Sequence, residues 1–161
     1  MLVCGIDEAG KGPIIGSMVL CGVVIEEDQA EALKKMGVKD SKLLTPKKRQ
    51  ELFHELLKVI HDYYLIIVEP LEIDKAVNSI ELNLNWLEAQ KAAEITNYLR
   101  PDKVILDCPS PNLEKYATYF KQYLYKPIEV ICEHKADVNH VVVSAASIIA
   151  KEYREKDVEK I

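Results

Sequence analysis

No stretch of this 161-residue chain approaches the roughly 18 uninterrupted apolar residues that a membrane-spanning helix needs. The first residues also lack the basic segment, apolar core and cleavage site of a secretory leader. Together these absences lead to the expectation of a soluble, cytoplasmic protein with no membrane partner. No two cysteines are spaced as CxxC. All four (Cys4, Cys21, Cys108 and Cys132) fall in or beside strand-like apolar runs, the pattern of buried, reduced thiols. Linkers, internal repeats and low-complexity tracts are missing too, so residues 1–161 read as one domain. Positive charge is in deficit: 21 Lys and Arg stand against 26 Asp and Glu, for a net charge of −5. Such a balance argues against a protein that coats nucleic acid through its overall charge, although a local basic patch remains compatible with it. What is present is ordinary globular composition, 48% apolar and 29% charged, in a chain long enough to bury most of its apolar surface.

Hydrophobic periodicity alternates between strand and helix. Leu2–Ile6 and Ser17–Ile25 read as two strands joined by a glycine-containing turn. Thr45-Pro46 is a helix start, with threonine as the cap and proline in the first turn. Leu52, Phe53, Leu56, Leu57 and Ile60 then recur on one face. Tyr63–Val68 is strand-like, and a helix is expected from about Leu82 to Leu99, stopping before Pro101. Lys103–Asp107 reads as a short strand ending in an acid. Ser110-Pro111 repeats the cap-plus-proline signal and leads into Leu113, Tyr116, Phe120 and Leu124, and Ile128–Cys132 is another strand. A last helix starts near His140. Its first half, Val141–Ala150, is apolar nearly all round and so expected to be central, whereas Lys151–Lys160 is charged and expected to be solvated. About five strands and at least four helices indicate an α/β fold around a single sheet.

The chemistry-bearing residues sit at element ends, where open α/β sheets collect ligands. Asp7 and Glu8 close the first strand and run into Gly10-Lys11-Gly12. Two acids at the end of a buried strand are costly unless a cation lies between them, and a divalent metal ion suits carboxylate oxygens. Asp107 ends the Lys103 strand, and Asp137 lies between the Ile128 strand and the final helix. Each of these two acids alone is as readily a turn or capping residue. Gly5–Lys11 matches the spacing of a phosphate-binding GxxxxGK loop. However, Gly12 stands where Ser or Thr is required, and an apolar β-like run follows in place of a helix. A zinc site from Cys132, His134, Asp137 and His140 lacks paired-ligand spacing, and a Cys–His catalytic pair from Cys108 or Cys132 is equally unsupported. The segment from Lys34 to Arg49 carries Lys34, Lys35, Lys39, Lys42, Lys47, Lys48 and Arg49 against the single acid Asp40. Within an acidic chain it is the place to meet a phosphate backbone, with Ser41 and Lys42 able to hold phosphate oxygens.

Taken in order, Gly-Ile-Asp-Glu-Ala-Gly-Lys-Gly-Pro at 5–13, Lys-Asp-Ser-Lys at 39–42, Asp107, and His-Lys-Ala-Asp followed by Val-Val-Ser-Ala-Ala-Ser-Ile-Ile-Ala-Lys at 134–151 resemble ribonuclease HII, its archaeal branch above all. The resemblance covers essentially the whole chain. It implies a ribonuclease H-like fold, with a central mixed sheet of about five strands flanked by helices. It implies endonucleolytic cleavage of the RNA strand of RNA–DNA hybrids and incision at ribonucleotides embedded in duplex DNA, leaving 5′-phosphate and 3′-hydroxyl ends. By motif match Asp7, Glu8, Asp107 and Asp137 take the place of the family's metal-binding carboxylates, holding two Mg2+ or Mn2+ ions with Asp7 as the bridge. Two ions about 4 Å apart would activate the attacking water and stabilise the leaving 3′ oxygen. Gly10, Lys11 and Gly12 correspond to a glycine–arginine–glycine turn whose main chain reads the 2′-hydroxyl. Lysine in place of arginine keeps the charge and loses the bidentate fork. The family also has C-terminal helices and a Gly-Tyr-Pro segment whose tyrosine helps recognise the junction ribonucleotide, and Tyr153 does not match it. The expectation is therefore a single catalytic domain over 1–161, a monomer, without that extension. The competing expectations are a hybrid-binding core of weak or no activity and an unrelated magnesium-dependent phosphohydrolase.

Overall fold

β1 (Leu2–Ala9) is buried from Val3 to Asp7 because it lies inside a sheet covered on both faces. The computed structural model describes residues 1–10, 17–77 and 83–159. Lys11 and Gly12 of the glycine turn lie outside the described residues. β2 (Met18–Glu26) runs antiparallel to β1, and β3 (Asp62–Val68) runs antiparallel to β2. On the other side β4 (Lys103–Asp107) is parallel to β1, and β5 (Glu129–Glu133) is parallel to β4. The strand order is β3-β2-β1-β4-β5, a mixed five-stranded sheet with β1 at its centre.

Seven helices are described: α1 (Ala30–Lys35), α2 (Pro46–Val59), α3 (Pro70–Val77), α4 (Leu84–Leu99), α5 (Leu113–Lys121), α6 (Ala136–Asn139) and α7 (Val141–Glu159). Period-two alternation splits the strands between two cores. Val3, Val23 and Ile105 pack with α2 and the apolar half of α7, and Cys4, Ile6, Val104 and Leu106 pack with α4 and α5. α7 lies directly on β1. A Cβ on Gly5 would stand 2.7 Å from Val142 C and Val143 N, so only glycine admits the helix at this depth.

Several elements differ from the sequence expectation. β1 continues through Asp7 and Glu8, since Cys21 and Leu20 of β2 still pair with them. The helix after β4 begins at Leu113 with Asn112 as its cap, accepting from the Lys115 N–H at 3.0 Å, and not at Ser110-Pro111. Ser110 is held by the strand ends instead: its carbonyl meets His134 Nε2 at 2.7 Å and Cys108 Sγ at 3.3 Å. α4 starts at Leu84 under an Asn83 cap, and the expected start at Leu82 lies outside the described residues. The charged half of α7 is not uniformly solvated, because Glu152 and Arg154 are buried. Arg49 of α2 reaches Glu152 at 3.3 Å and Glu155 at 2.5 Å, binding the two helices together.

Candidate active site

Asp7 and Asp107 meet because β1 and β4 are parallel neighbours in register. Ile6 lies beside Leu106, so the next residue of each strand turns toward the same face, the one that carries α7. Asp7 is only 6% exposed. Its Oδ1 accepts the Glu8 N–H at 2.8 Å, and the Ser147 hydroxyl of α7 also donates to it. Burial pushes its carboxyl up to about 7, and the negative charges of Asp107 and then Asp137 add to the rise. The Asp107 carboxyl is raised as well, first by burial and then by Asp137, against the backbone N–H groups of Ala136 and Lys135 that donate to it. The Asp7 and Asp107 side chains lie close enough to act on each other, and each disfavours the other's charge.

Asp137 joins from α6. Lys135 takes a left-handed conformation, φ 55°, which turns the chain so that the start of α6 faces Asp107. The Asp137 carbonyl accepts the Ser144 hydroxyl at 2.5 Å, fixing α6 to α7. Three aspartates from β1, β4 and α6 thus act on one another electrostatically. Glu8 is not among them: alternation sends it to the opposite face of β1, where its charge and that of Glu88 raise the buried Tyr116 hydroxyl, after burial itself.

Of the three aspartates, Asp137 opens onto a cleft of about 320 Å³, lined also by Lys39, Asp40, Ser41, Lys42, Ser144 and Ser147. Of the Lys34–Arg49 stretch, the part that lies beside Asp137 is the 3-10 segment over Val38–Leu43, which buries Ser41 and exposes Lys42. Lys42 Nζ is 3.3 Å from Asp137 Oδ2. Arg49, counted among the phosphate-facing cations of that stretch, is instead engaged with Glu152 and Glu155.

At Gly10 the backbone is left-handed, φ 93°, and Arg154 Cδ occupies the space beside it, 2.8 Å from where a Cβ would stand. Neither Arg154 nor Ser147 was singled out from the sequence. Ser147 had a readable signal, as one of two serines three apart in an otherwise apolar helix. Arg154 had none, since it sits in a run of charges. The residues of the zinc alternative are otherwise engaged, with His134 on the Ser110 carbonyl and His140 on Glu133 at 3.2 Å. That last contact holds the Glu133 carboxyl below its usual range.

Among the described residues no three acids, histidines or cysteines already form a ring around an ion position. The donor chemistry nonetheless fits Mg2+ or Mn2+. These ions take hard carboxylate oxygens, and this trio holds negative charge that burial makes expensive.

Comparison with known proteins agrees with this architecture. The Ribonuclease HII family model matches residues 4–161. A ribonuclease HII from Pyrococcus horikoshii is 44% identical over 163 residues, which cover 100% of this chain and 72% of that protein. The crystal structure of the ribonuclease H2 from Pyrococcus horikoshii OT3 superposes with a TM-score of 0.91 at 43% identity, covering 99% of this chain and 75% of that one. The ribonuclease HII in a PCNA complex from Archaeoglobus fulgidus gives a TM-score of 0.89 at 34% identity, over 99% of this chain and 76% of that chain. With sequence and superposed fold in agreement over nearly its whole length, the chain belongs to the ribonuclease HII family and is a type II ribonuclease H of ribonuclease H-like fold.

Proposed function

We propose that the chain is a metal-dependent endonuclease that hydrolyses the RNA strand of RNA–DNA hybrids and incises at ribonucleotides embedded in duplex DNA, leaving 5′-phosphate and 3′-hydroxyl ends. The observation that carries this reading is the convergence of Asp7, Asp107 and Asp137 at one spot, with Asp7 raised to about 7 by burial and by its acidic neighbours. Asp7, Asp107 and Asp137 would hold divalent ions, Mg2+ or Mn2+ and two during catalysis, whereas Glu8, expected to complete the set, lies on the opposite face of β1 beside Tyr116. When bound, such ions supply an activated water and charge stabilisation at the leaving oxygen.

The chain's own residues do the positioning. The Ser147 hydroxyl and the Glu8 N–H hold Asp7 from two sides, and the Ala136 and Lys135 N–H groups hold Asp107. Acid positions are thereby set before substrate arrives, which lowers the reorganisation needed in the transition state. Gly10, Lys11 and Gly12 are assigned to the 2′-hydroxyl. Gly10 itself has no side chain and takes a left-handed backbone, with the Arg154 side chain packed beside it. Ser41 and Lys42, on the far wall of the same cleft, are assigned to the phosphate next to the scissile bond.

The experiment is incision of a labelled DNA duplex carrying one ribonucleotide, with Mg2+ or Mn2+, by the chain and by Asp7→Asn. Removing an acid that holds the reacting ions should cost at least about 100-fold in rate while hybrid binding persists. Binding without incision by the unaltered chain would reject the endonuclease reading. Failure to bind any hybrid would reject the substrate assignment as well.

A further inference from the structure

The acid cluster already carries a cation of the protein's own. From the 3-10 segment over Val38–Leu43, Lys42 reaches across the cleft, and its Nζ lies 3.3 Å from Asp137 Oδ2. The two side chains differ sharply in setting: that of Lys42 is 64% exposed, that of Asp137 only 16%. The lysine thus covers the aspartate from the solvent side. Toward the interior, Asp137 faces Asp107 and Asp7, both of which feel its charge. One ammonium therefore sits at the outer edge of a trio of aspartates.

We propose that Lys42 is a stand-in cation that holds Asp137 while the acid cluster is free of metal and gives way when a divalent ion enters. This inference rests on the metal reading of the cluster given above. First, three carboxylates drawn together repel one another, and an ammonium at hydrogen-bonding distance offsets some of that repulsion. Secondly, an ammonium and a divalent ion on the same carboxylate repel each other, so metal entry must displace Lys42 or work against it. Thirdly, lysine suits such an exchange, being a compact charge on a flexible four-carbon stem. An ion pair this exposed is weak, so the exchange is easy and its cost to metal affinity is modest. The displaced ammonium remains within the same cleft as Ser41, Ser144 and Ser147, where an incoming phosphate would meet it. Metal loading and readiness of the phosphate contact would then be coupled through one side chain.

The test measures Mn2+ affinity directly, by the electron paramagnetic resonance signal of free Mn2+ and by calorimetry, without substrate. Wild type is compared with Lys42→Gln, Lys42→Arg, Lys39→Gln and Asp137→Asn. Lys39 lines the same cleft and is the control for the general electrostatic field. Lys42→Gln should bind Mn2+ about two- to fivefold more tightly than wild type, the scale of a solvent-exposed ion pair. Lys42→Arg should stay near wild type, and Lys39→Gln should change affinity by less than half as much as Lys42→Gln. Unchanged or weaker binding by Lys42→Gln overturns the proposal, and so does equal tightening by Lys39→Gln. A wild-type protein that binds no Mn2+, or binds it indifferently to Asp137→Asn, overturns the metal reading itself.

Discussion

Asp7 shows how one buried acid can be both a cost and a tool. Its native carboxyl titrates at about 7 against an ordinary value of 3.8, because burial and two neighbouring acids disfavour its charge. The direction of the stability effect follows from proton binding. Below about pH 4 the folded and unfolded chains both carry the proton, and the group contributes nothing. As pH rises from there to about 7, the unfolded chain releases its proton while the native chain keeps it, so stability falls across that window and levels off above it. Metal-free protein should therefore be less stable at pH 8 than at pH 4.5 by a contribution from Asp7 on the order of 2–4 kcal/mol, which Asp7→Asn removes. Urea denaturation in chelator at both pH values checks this: the gain from Asp7→Asn should appear at pH 8 and largely vanish at pH 4.5. Equal effects of the substitution at both values would contradict the assignment. Asp107, raised in the same direction, should leave a residual slope in the variant.

The elements that deliver these residues depend on one close contact, α7 against β1. At Gly5 an added Cβ would lie 2.7 Å from Val142 C and Val143 N and 2.8 Å from Val142 O, all backbone atoms that cannot rotate away. Gly5→Ala must push α7 off the sheet, and with it Ser147, which holds Asp7 from the helix side. Overpacking of this kind typically costs about 1–3 kcal/mol. Chemical denaturation should show that loss, and incision should fall even under conditions where the variant is folded. Wild-type stability would mean that the helix has room to move. The acids at the ends of β1 and β4 were legible in the sequence because strand alternation and a terminal carboxylate are local signals. The convergence of Asp7 with Asp107 was not, since it depends on parallel pairing between strands about a hundred positions apart. α1, α3 and α6 are too short to show a helical period, and Ser110-Pro111 imitates a helix start whose true cap is Asn112. Arg49 and Arg154 read as surface charge because nothing local reveals that a helix partner or a glycine turn will cover them.

Over the whole molecule, charge is segregated. The chain carries a net −5, yet Lys39 and Lys42 of its basic stretch line the cleft onto which Asp137 opens. A local concentration of cations in an acidic chain favours one approach of a phosphate backbone over others. Binding would then depend on few phosphate contacts, and salt dependence counts them. The slope of log affinity against log salt is about −0.9 per neutralised phosphate on duplex DNA. Within the stretch, Lys39, Lys47 and Lys48 are exposed, whereas Arg49 is held by Glu152 and Glu155. Replacing Lys47 and Lys48 together by Gln should weaken hybrid binding and flatten the salt slope by roughly one to two units. Replacing Arg49 should leave that slope unchanged while lowering stability, because its guanidinium joins α2 to α7. Fluorescence anisotropy of a labelled RNA–DNA hybrid between about 50 and 200 mM salt separates the two effects. An unchanged slope in the double lysine variant would move the phosphate path off the start of α2, and a slope lost with Arg49 would mean that its ion pairs with α7 open when nucleic acid binds.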